Sequence, residues 1–372
     1  MSLQLRSLVR PDGEVEISLA DFPEPTPGPE EVVVRVDAAP INPSDLGVMF
    51  ARAEFASAKA SVVDGRPVVT ARVPEGALAS MQARIGKAIP VGNEGAGLVV
   101  RAGDSPAAQA LLGKVVGIYG GGTYAQHRAV AAAACLVLPE GTTAEEGASN
   151  FVNPMTVLAM LATMRREGHS AIVHTAAASN LGQMLVKLCA KDGVPLVNVV
   201  RRAEHVALLR KLGAEHIVDS SDPAFDAQLA EAIAKTKATL AFDAIGGGST
   251  ASRVLQAMEA AASRDTTHYS PYGSTIHKQL YIYGSLDRGP TELNRAYGLS
   301  WGIGGWLVSN TLAKLPKADI GAMRARVAAE LQTTFASHYT KRLSLAQALD
   351  LAEIGHYAKQ ATGEKFLITP SA

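Results

Sequence analysis

Residues 171–202, "AIVHTAAASNLGQMLVKLCAKDGVPLVNVVRR", contain the pattern with the most recognisable chemistry. A short apolar strand, a turn of small residues and a helix follow one another, so backbone N–H groups and the positive end of the helix meet at one point. Such a point attracts a pyrophosphate. In the usual dinucleotide fingerprint three glycines occupy this turn, and here their positions are Ala177, Ser179 and Gly182. Only the glycine that allows close helix–strand packing remains.

Small residues replace the other two glycines. Ala177 is small enough to turn in an allowed conformation, and Ser179 offers a backbone N–H and a hydroxyl. Asn180 and Leu181, which open the helix, complete the predicted phosphate site with Gly182. The turn alone fits an ordinary βαβ crossover equally well, so the decision depends on the strand that follows.

Arg201 and Arg202 end that second strand, where NAD-preferring sites place a carboxylate for the ribose hydroxyls. Two guanidinium groups suit a 2′-phosphate through forked, charge-assisted hydrogen bonds. The alternative is a solvated basic helix start. Because a helix N-terminus disfavours cations, the arginines need a compensating anion or must point away. The pattern favours NADP(H) over NAD(H).

The elements that position these residues change in character near residue 150. The preceding part is rich in glycine, proline and short β-branched runs, which predicts a mostly β domain. Strands and helices then alternate, which predicts a parallel sheet with crossover helices. Residues 344–360 are expected to form one helix and "KFLITP" a last strand, while 51–90 is a long Ala-rich connection that is functional or folds on its own.

Composition excludes several classes of protein. The chain of 372 residues exceeds the usual size of one core, and 47% hydrophobic with 19% charged residues argues against disorder. Zero formal net charge predicts no nucleic-acid or membrane partner, and no apolar run reaches the length of a membrane helix. The start of the chain lacks a signal-peptide pattern. With Cys135 and Cys189 as its two cysteines, a cytoplasmic setting is expected.

Several motifs resemble the medium-chain dehydrogenase/reductase family, in its zinc-free branch of quinone oxidoreductases and 2-enoyl thioester reductases. They occur in family order over most of the chain: "APINPSD" (39–45), "VGNEGAGLVV" (91–100), "GTYAQHRAV" (122–130), "NFVNPMTVLAML" (150–161), "HTAAASNLGQMLVKLCA" (174–190), "LGAEHIVD" (212–219) and "FDAIGG" (242–247). The resemblance implies an α/β protein: a GroES-like β-rich catalytic domain of residues 1–150 and 325–372, and a Rossmann doubly wound parallel-sheet domain of residues 151–324 that binds NADP(H).

The resemblance also implies site residues. Asn93 stands where zinc-dependent relatives have a ligand histidine, and no metal site is expected. Asn42, a candidate donor to a substrate oxyanion, is with Asn93 the candidate catalytic pair; the alternative for "NPSD" is a plain turn in which Asp45 caps a helix. The remaining predicted cofactor contacts are Thr156, Ile245, Gly284 and Ser285.

One family feature is missing. Enoyl reductases of this branch use a tyrosine shortly after "INPSD" as proton donor, and here "LGVMFARAEF" follows. A substitute is expected among Tyr119, Tyr124, Tyr281 and Tyr283, or from water.

Three functions follow from this reading. The leading hypothesis is a zinc-independent NADPH-dependent reductase of a small quinone, enone or other α,β-unsaturated carbonyl. The second is a 2-enoyl thioester reductase, and the third is an NADPH-binding protein with little catalysis. The resemblance implies a homodimer, and the apolar segment 301–308 is a candidate subunit contact.

Overall fold

The computed structural model describes residues 1–264 and 269–372, which form two compact units. The first, here called the β-rich unit, comprises Met1–Pro154 and Arg324–Ala372. The second, the parallel-sheet unit, comprises Met155–Met323.

The β-rich unit contains two sheets whose inner faces carry alternating buried Val, Ile and Leu. Its strands are β1 (Ser2–Val9), β2 (Glu14–Phe22), β3 (Glu31–Pro40), β4 (Lys59–Val63), β5 (Arg66–Arg72), β6 (Ala88–Pro90), β7 (Glu94–Ala102), β8 (Val115–Tyr119), β9 (His127–Ala131), β10 (Leu136–Val137), β19 (Lys341–Leu343) and β20 (Phe366–Ile368). One sheet has the order β4-β5-β2-β1-β6 and the other β10-β8-β7-β3-β20-β19, with β9 also paired to β3.

Short helices connect these strands: α1 (Pro43–Phe50), α2 (Glu75–Leu78), α3 (Pro106–Gln109), α4 (Ala144–Gly147) and α12 (Leu351–Tyr357). The predicted single helix over 344–360 is wrong. Residues 347–349 form a 3₁₀ turn, and Asp350 then adopts an extended backbone and caps α12 by accepting from the N–H groups of Ala352 and Glu353. An N-cap residue has non-helical dihedrals, so its presence divides the segment.

Residues 51–90 are not an irregular connection. They contain the β4–β5 hairpin, which extends the first sheet through antiparallel pairing of β5 with β2, and they return through β6 beside β1. Every residue of β4 is exposed, as expected for the outer strand of a sheet, whereas β5 buries Val68, Val69 and Ala71. The segment therefore folds, but as part of the first sheet rather than on its own.

The described residues of the parallel-sheet unit form the strands β11 (Ile172–His174), β12 (Leu196–Val200), β13 (His216–Asp219), β14 (Leu240–Asp243), β15 (Gly246–Gly248), β16 (Lys278–Ile282), β17 (Asp287–Thr291) and β18 (Trp301–Gly305). Six of them form a parallel sheet in the order β13-β12-β11-β14-β16-β18, and β15 and β17 pair separately. Strands β11, β12 and β14 are buried along their whole length, because helices cover both faces of such a sheet. Counted from β11, the order is 3-2-1-4-5-6, the dinucleotide-binding arrangement.

The remaining helices are α5 (Val152–Arg166), α6 (Asn180–Asp192), α7 (Ala203–Lys211), α8 (Phe225–Thr236), α9 (Thr250–Ser263), α10 (Val308–Leu312) and α11 (Lys317–Glu330). The alternation of strands and helices from residue 150 onward is confirmed, and so is the α/β fold class. None of the helices in the described part of the chain is both long enough and apolar enough to span a membrane.

Candidate active site

The order of strands in the parallel-sheet unit reverses between β11 and β14, and ligands of such sheets bind where these strands end. The turn after β11 leads directly into α6. Ala176 takes a left-handed conformation with φ of 51°, which costs a non-glycine residue about 1–2 kcal/mol. The strained residue of the turn is therefore Ala176 and not Ala177. The N–H of Ala177 donates to the carbonyl of Val199 on β12.

Ser179 caps α6 rather than offering its own N–H outward. Its Oγ accepts from the N–H of Gly182 at 3.1 Å, and its backbone N–H donates to the carbonyl of Ala176 at 3.0 Å. This second bond corrects the expectation that the N–H of Ser179 is available to a phosphate. Asn180 and Leu181 begin the helix, so their backbone N–H groups lie at its positive end.

Gly182 lies where the helix touches the turn. A Cβ at this position would lie 2.1 Å from the carbonyl oxygen of Ala177, far inside van der Waals contact. Only glycine fits at this distance, so helix α6 approaches the end of β11 as closely as a phosphate-binding turn requires.

Arg201 and Arg202 follow the end of β12, and both are exposed. Arg202 occupies the N-cap position of α7, and its guanidinium lies 3.3 Å from a carboxylate oxygen of Glu204. Glu204 is therefore a compensating anion for Arg202 at this helix start. Both members of this ion pair are more than half exposed, which keeps the interaction weak and exchangeable.

A buried aspartate that the sequence reasoning missed organises the neighbouring strand end. Asp243, the last residue of β14, accepts from the Thr175 hydroxyl at 2.6 Å and from the N–H groups of Ile245 and Gly246 at 3.0 and 3.1 Å. The Thr175 hydroxyl in turn accepts from the N–H of Ala244. The signal was present in "FDAIGG", a carboxylate at a strand end followed by two glycines.

Of the other predicted cofactor contacts of this unit, Ile245, Gly284 and Ser285 follow strand ends at the same sheet edge, whereas Thr156 belongs to a helix. Gly284, shortly after β16, packs against the backbone of Ala244. A Cβ at this position would lie 2.5 Å from the carbonyl oxygen of Ala244. Ser285 is exposed and Ile245 is partly exposed. Thr156, in the second turn of α5, is 6% exposed and thus nearly covered by protein.

In the β-rich unit, Asn42 and Glu94 belong to a buried polar cluster. Asn42 precedes α1, and its Nδ2 donates to Glu94 Oε1 at 2.9 Å while its Oδ1 accepts from Lys365 Nζ at 3.1 Å. The other oxygen of Glu94 accepts from the N–H groups of Phe151 and Val152, where α5 begins. Asn42 is only 1% exposed, so this doubly bonded carboxamide corrects the expectation that it faces a substrate.

Asp45 and Asn93 adjoin this cluster through hydrogen bonds to the backbone. One carboxylate oxygen of Asp45 accepts from the N–H of Asn42 at 2.8 Å, and the other from the N–H of Asn93 at 2.7 Å. The Asn93 side chain is partly exposed and donates to the exposed hydroxyl of Ser44. The capping alternative for Asp45 and the candidate role of Asn93 are thus compatible.

Burial shifts the titration of all three charged groups. It raises the pKa of Asp45 to about 7 and raises the pKa of Glu94. It lowers the pKa of Lys365 to about 8, although the carboxylates of Glu94 and Asp45 oppose that shift. Desolvation is the first cause of each shift, because burial disfavours the charged form of every one of these groups.

Within residues 1–264 and 269–372, no group of three or more His, Cys, Asp or Glu side chains is arranged to hold a metal ion. Asn93, which stands where zinc-dependent relatives have a ligand histidine, donates its side-chain amide to the Ser44 hydroxyl.

The four candidate tyrosines have different surroundings. Tyr119 stacks on Phe151 at 3.9 Å, and Tyr124 is fully buried with its hydroxyl 3.0 Å from the carbonyl of Pro40. Tyr281 donates to Glu167 at 2.9 Å. The hydroxyl of Tyr283, one residue past β16, lies 2.7 Å from His174 Nε2.

The chain is similar to known proteins. A family model described as "Zinc-binding dehydrogenase" matches residues 180–264. The mitochondrial enoyl-[acyl-carrier-protein] reductase of Xenopus tropicalis is 28% identical over 199 residues, which are 52% of this chain and 49% of that protein. The chain spans about half, or less, of the length of the curated relatives it matches.

Solved structures match along nearly the whole chain. A Mesorhizobium loti protein provisionally named an NADPH:quinone reductase is 27% identical, with a TM-score of 0.73 over 99% of this chain and 98% of that one. Escherichia coli quinone oxidoreductase in complex with NADPH is 17% identical, with a TM-score of 0.67 over 99% and 100% of the two chains. The chain is thus similar to medium-chain dehydrogenases/reductases along nearly its whole length, and it shares their α/β fold.

Proposed function

We propose that this protein is a zinc-independent, NADPH-dependent reductase of quinones, enones or other small α,β-unsaturated carbonyl compounds. The observation that carries the proposal is the edge of the parallel sheet where β11, β12 and β14 end. A closely packed turn and helix start meet there, two exposed arginines follow the neighbouring strand, and a buried aspartate orders the third. This combination fits a dinucleotide with an additional phosphate on its adenosine.

Each part of the cofactor has candidate partners. The N–H groups at Asn180 and Leu181, with the turn of Ala177, Ser179 and Gly182, would hold the pyrophosphate. Arg201 and Arg202 would hold the 2′-phosphate, since guanidinium groups bind phosphate oxygens in pairs. The nicotinamide would lie against the strand ends. Its predicted contacts are Thr156, Ile245, Gly284 and Ser285.

When bound, the dihydronicotinamide supplies the hydride, and the protein supplies position and proton. In the β-rich unit, Asn42 is assigned a positioning role, because it joins Glu94 to Lys365 in the interior. Asn93, which keeps a partly exposed amide, is the candidate hydrogen-bond donor to a substrate oxygen.

Binding of the two cofactors tests the proposal directly. We expect calorimetry to give an NADPH dissociation constant at least about tenfold below that of NADH, since a charge-assisted hydrogen bond contributes about 1.5–3 kcal/mol. Arg201→Ala should weaken NADPH far more than NADH, and Lys235→Ala, an exposed cation on α8, serves as the control. Absence of binding by either cofactor contradicts the proposal, and equal loss for both contradicts the phosphate assignment.

A 2-enoyl thioester reductase is the second candidate, because the name of the Xenopus tropicalis relative describes reduction of a carrier-bound enoyl group. NADPH oxidation with a CoA-linked enoyl substrate, together with no oxidation with benzoquinone or cyclohexenone, would favour it. Tight NADPH binding without oxidation by any of these acceptors would instead favour an NADPH-binding protein with little catalysis.

The homodimer is part of the same proposal. Strand β18 is the outer strand of the six-stranded sheet, and the exposed Leu299 and Leu307 flank it. We expect sedimentation equilibrium to give twice the chain mass. A cytoplasmic setting is also proposed, on the basis of the free cysteines Cys135 and Cys189.

A further inference from the structure

His174 and Tyr283 form a pair whose position connects two strand ends of the parallel sheet. His174 is the last residue of β11, and Tyr283 directly precedes Gly284 and Ser285. The His174 ring is 0% exposed, and its Nε2 lies 2.7 Å from the Tyr283 hydroxyl oxygen. Nδ1 of the same ring is buried and has no hydrogen-bond partner among the described residues.

The partnerless nitrogen determines the tautomer. Burial lowers the pKa of His174 to about 3, so the ring is neutral and carries a single proton. A proton on Nδ1 would be a buried N–H without an acceptor, which is rarer in proteins than an unfilled acceptor. The proton therefore belongs on Nε2, which donates to the Tyr283 oxygen. Consequently the phenol does not donate to His174, and its own proton is free for another acceptor.

The surroundings hold this phenol in place. Its ring lies in stacked orientation against His174 and edge-on to Trp306, and Trp306 is itself bonded to Thr163 on α5. Tyr283 remains partly exposed. Desolvation and the nearby Asp243 carboxylate raise its pKa, so the hydroxyl is protonated at neutral pH.

We propose that Tyr283, with His174 as its positioning residue, is the proton donor that replaces the missing family tyrosine. The inference rests on the proposed function. After hydride addition at the β-carbon of an enone, the electron pair of the C=C bond resides on the enolate. The Tyr283 O–H bond breaks, a C–H bond forms at the α-carbon, and the phenolate is stabilised by the His174 Nε2–H. Water then returns a proton to the phenolate.

The matched pair Tyr283→Phe and Tyr281→Phe tests the donor. Both changes remove one hydroxyl from neighbouring positions of the same segment, but the Tyr281 hydroxyl is bonded to Glu167. With NADPH and cyclohexenone, Tyr283→Phe should lower kcat about a hundredfold, the usual contribution of a general acid, and Tyr281→Phe less than about threefold. With benzoquinone, whose oxygens take protons from water, both variants should stay within about threefold of wild type.

These outcomes separate the two proposals. A wild-type protein that oxidises NADPH with neither acceptor overturns both. A wild-type protein that reduces cyclohexenone while Tyr283→Phe remains within about twofold of it overturns only the assignment of the donor. Equal loss with both acceptors, or weaker NADPH binding by Tyr283→Phe, also overturns the assignment, because the hydroxyl would then be structural.

A second measurement needs no cofactor. Long-range proton–nitrogen NMR should identify His174 as the Nε2–H tautomer, with its signals assigned by their absence from His174→Gln. The Nδ1–H tautomer would overturn the inference, since the phenol would then donate to Nε2. His174→Gln keeps an amide donor and should retain cyclohexenone reduction within about fivefold, whereas His174→Leu should match Tyr283→Phe.

Discussion

The two units differ in whether the charged side chains of their candidate sites are buried together or exposed. In the β-rich unit, Glu94, Asp45 and Lys365 are all buried, and Asn42 bridges the first to the last. In the parallel-sheet unit, the cations Arg201 and Arg202 are exposed, and the buried carboxylate of Asp243 accepts from uncharged N–H and O–H groups. The first arrangement makes stability depend on matched charges, whereas the second makes binding depend on backbone shape and on surface cations.

The largest expected effect comes from breaking the charge balance of the β-rich unit. Lys365→Met should lower the free energy of unfolding by about 3–5 kcal/mol, because it removes the cation that faces two buried carboxylates. Chemical denaturation measures the loss. The exposed pair Arg35–Asp37 supplies the control, since Arg35→Met should cost less than about 1 kcal/mol. If the double variant Glu94→Gln/Lys365→Met is no more stable than Lys365→Met, the charges are not coupled.

The corresponding change in the parallel-sheet unit alters shape rather than charge. Gly182→Ala places a methyl group against the Ala177 carbonyl and should cost about 2–3 kcal/mol while abolishing detectable NADPH binding. Gly321→Ala adds a methyl group to a helical position with open space and should be neutral or slightly stabilising. Calorimetric binding and thermal unfolding of the two variants give the comparison. Normal binding by Gly182→Ala would show that the turn does not hold the cofactor.

The pH dependence of stability sharpens the contrast further. The folded-state pKa of Asp45 is raised to about 7, so folding takes up a proton between about pH 4 and 7. Its contribution to stability is therefore present at low pH and is lost as the pH rises through that range. Relative to Asp45→Asn, wild type should lose unfolding free energy over this interval. Parallel curves for the two proteins would contradict the raised pKa.

The ionisation of Lys365 makes stability change with pH in the opposite direction, and it does so at higher pH. Its folded-state pKa is lowered to about 8, so the unfolded chain binds the additional proton from about pH 8 to 10 and stability rises over that range. Lys365→Met should lack this rise, and Arg35→Met should keep it.

The smallest expected effect concerns the surface ion pair. Glu204→Gln releases Arg202 from its partner and should strengthen NADPH binding about two- to fivefold, with NADH binding unchanged and stability altered by less than about 1 kcal/mol. Titration with each cofactor checks it. A gain for both cofactors would mean that Glu204 repels the common part of the nucleotide instead of competing for Arg202.

Periodicity was sufficient to predict the parallel-sheet unit, since its strands are continuous apolar runs that alternate with helices ended by Gly193 and Gly213. It failed where tertiary pairing decides. The hairpin of residues 59–72 is stabilised by pairing with β2, and the helix over 344–360 is interrupted by a cap at Asp350. Both depend on partners that a local pattern does not contain.

The close packing of Gly182 was predictable because a backbone motif marks it, whereas contacts between residues distant in sequence were not. Lys365 lies 323 residues from Asn42, and Tyr283 lies 109 residues from His174. The motif "INPSD" indicated a functional role for Asn42. Its contacts instead show a buried side chain that is hydrogen-bonded to both Glu94 and Lys365. The sequence shows Asp243, but its role follows from its contacts. It accepts from the Thr175 hydroxyl and from two N–H groups, and the Thr175 hydroxyl accepts from a further N–H group.

The path of the chain has a consequence for biosynthesis. Strand β20 pairs with β3, and Lys365 reaches Asn42, so the β-rich unit needs the segments on both sides of the parallel-sheet unit. All strands of the parallel-sheet unit, in contrast, come from one continuous stretch. On the ribosome, that inner stretch can acquire its structure during elongation, whereas the flanking unit must wait, with two buried carboxylates still lacking their cation, until its final strand emerges from the exit tunnel.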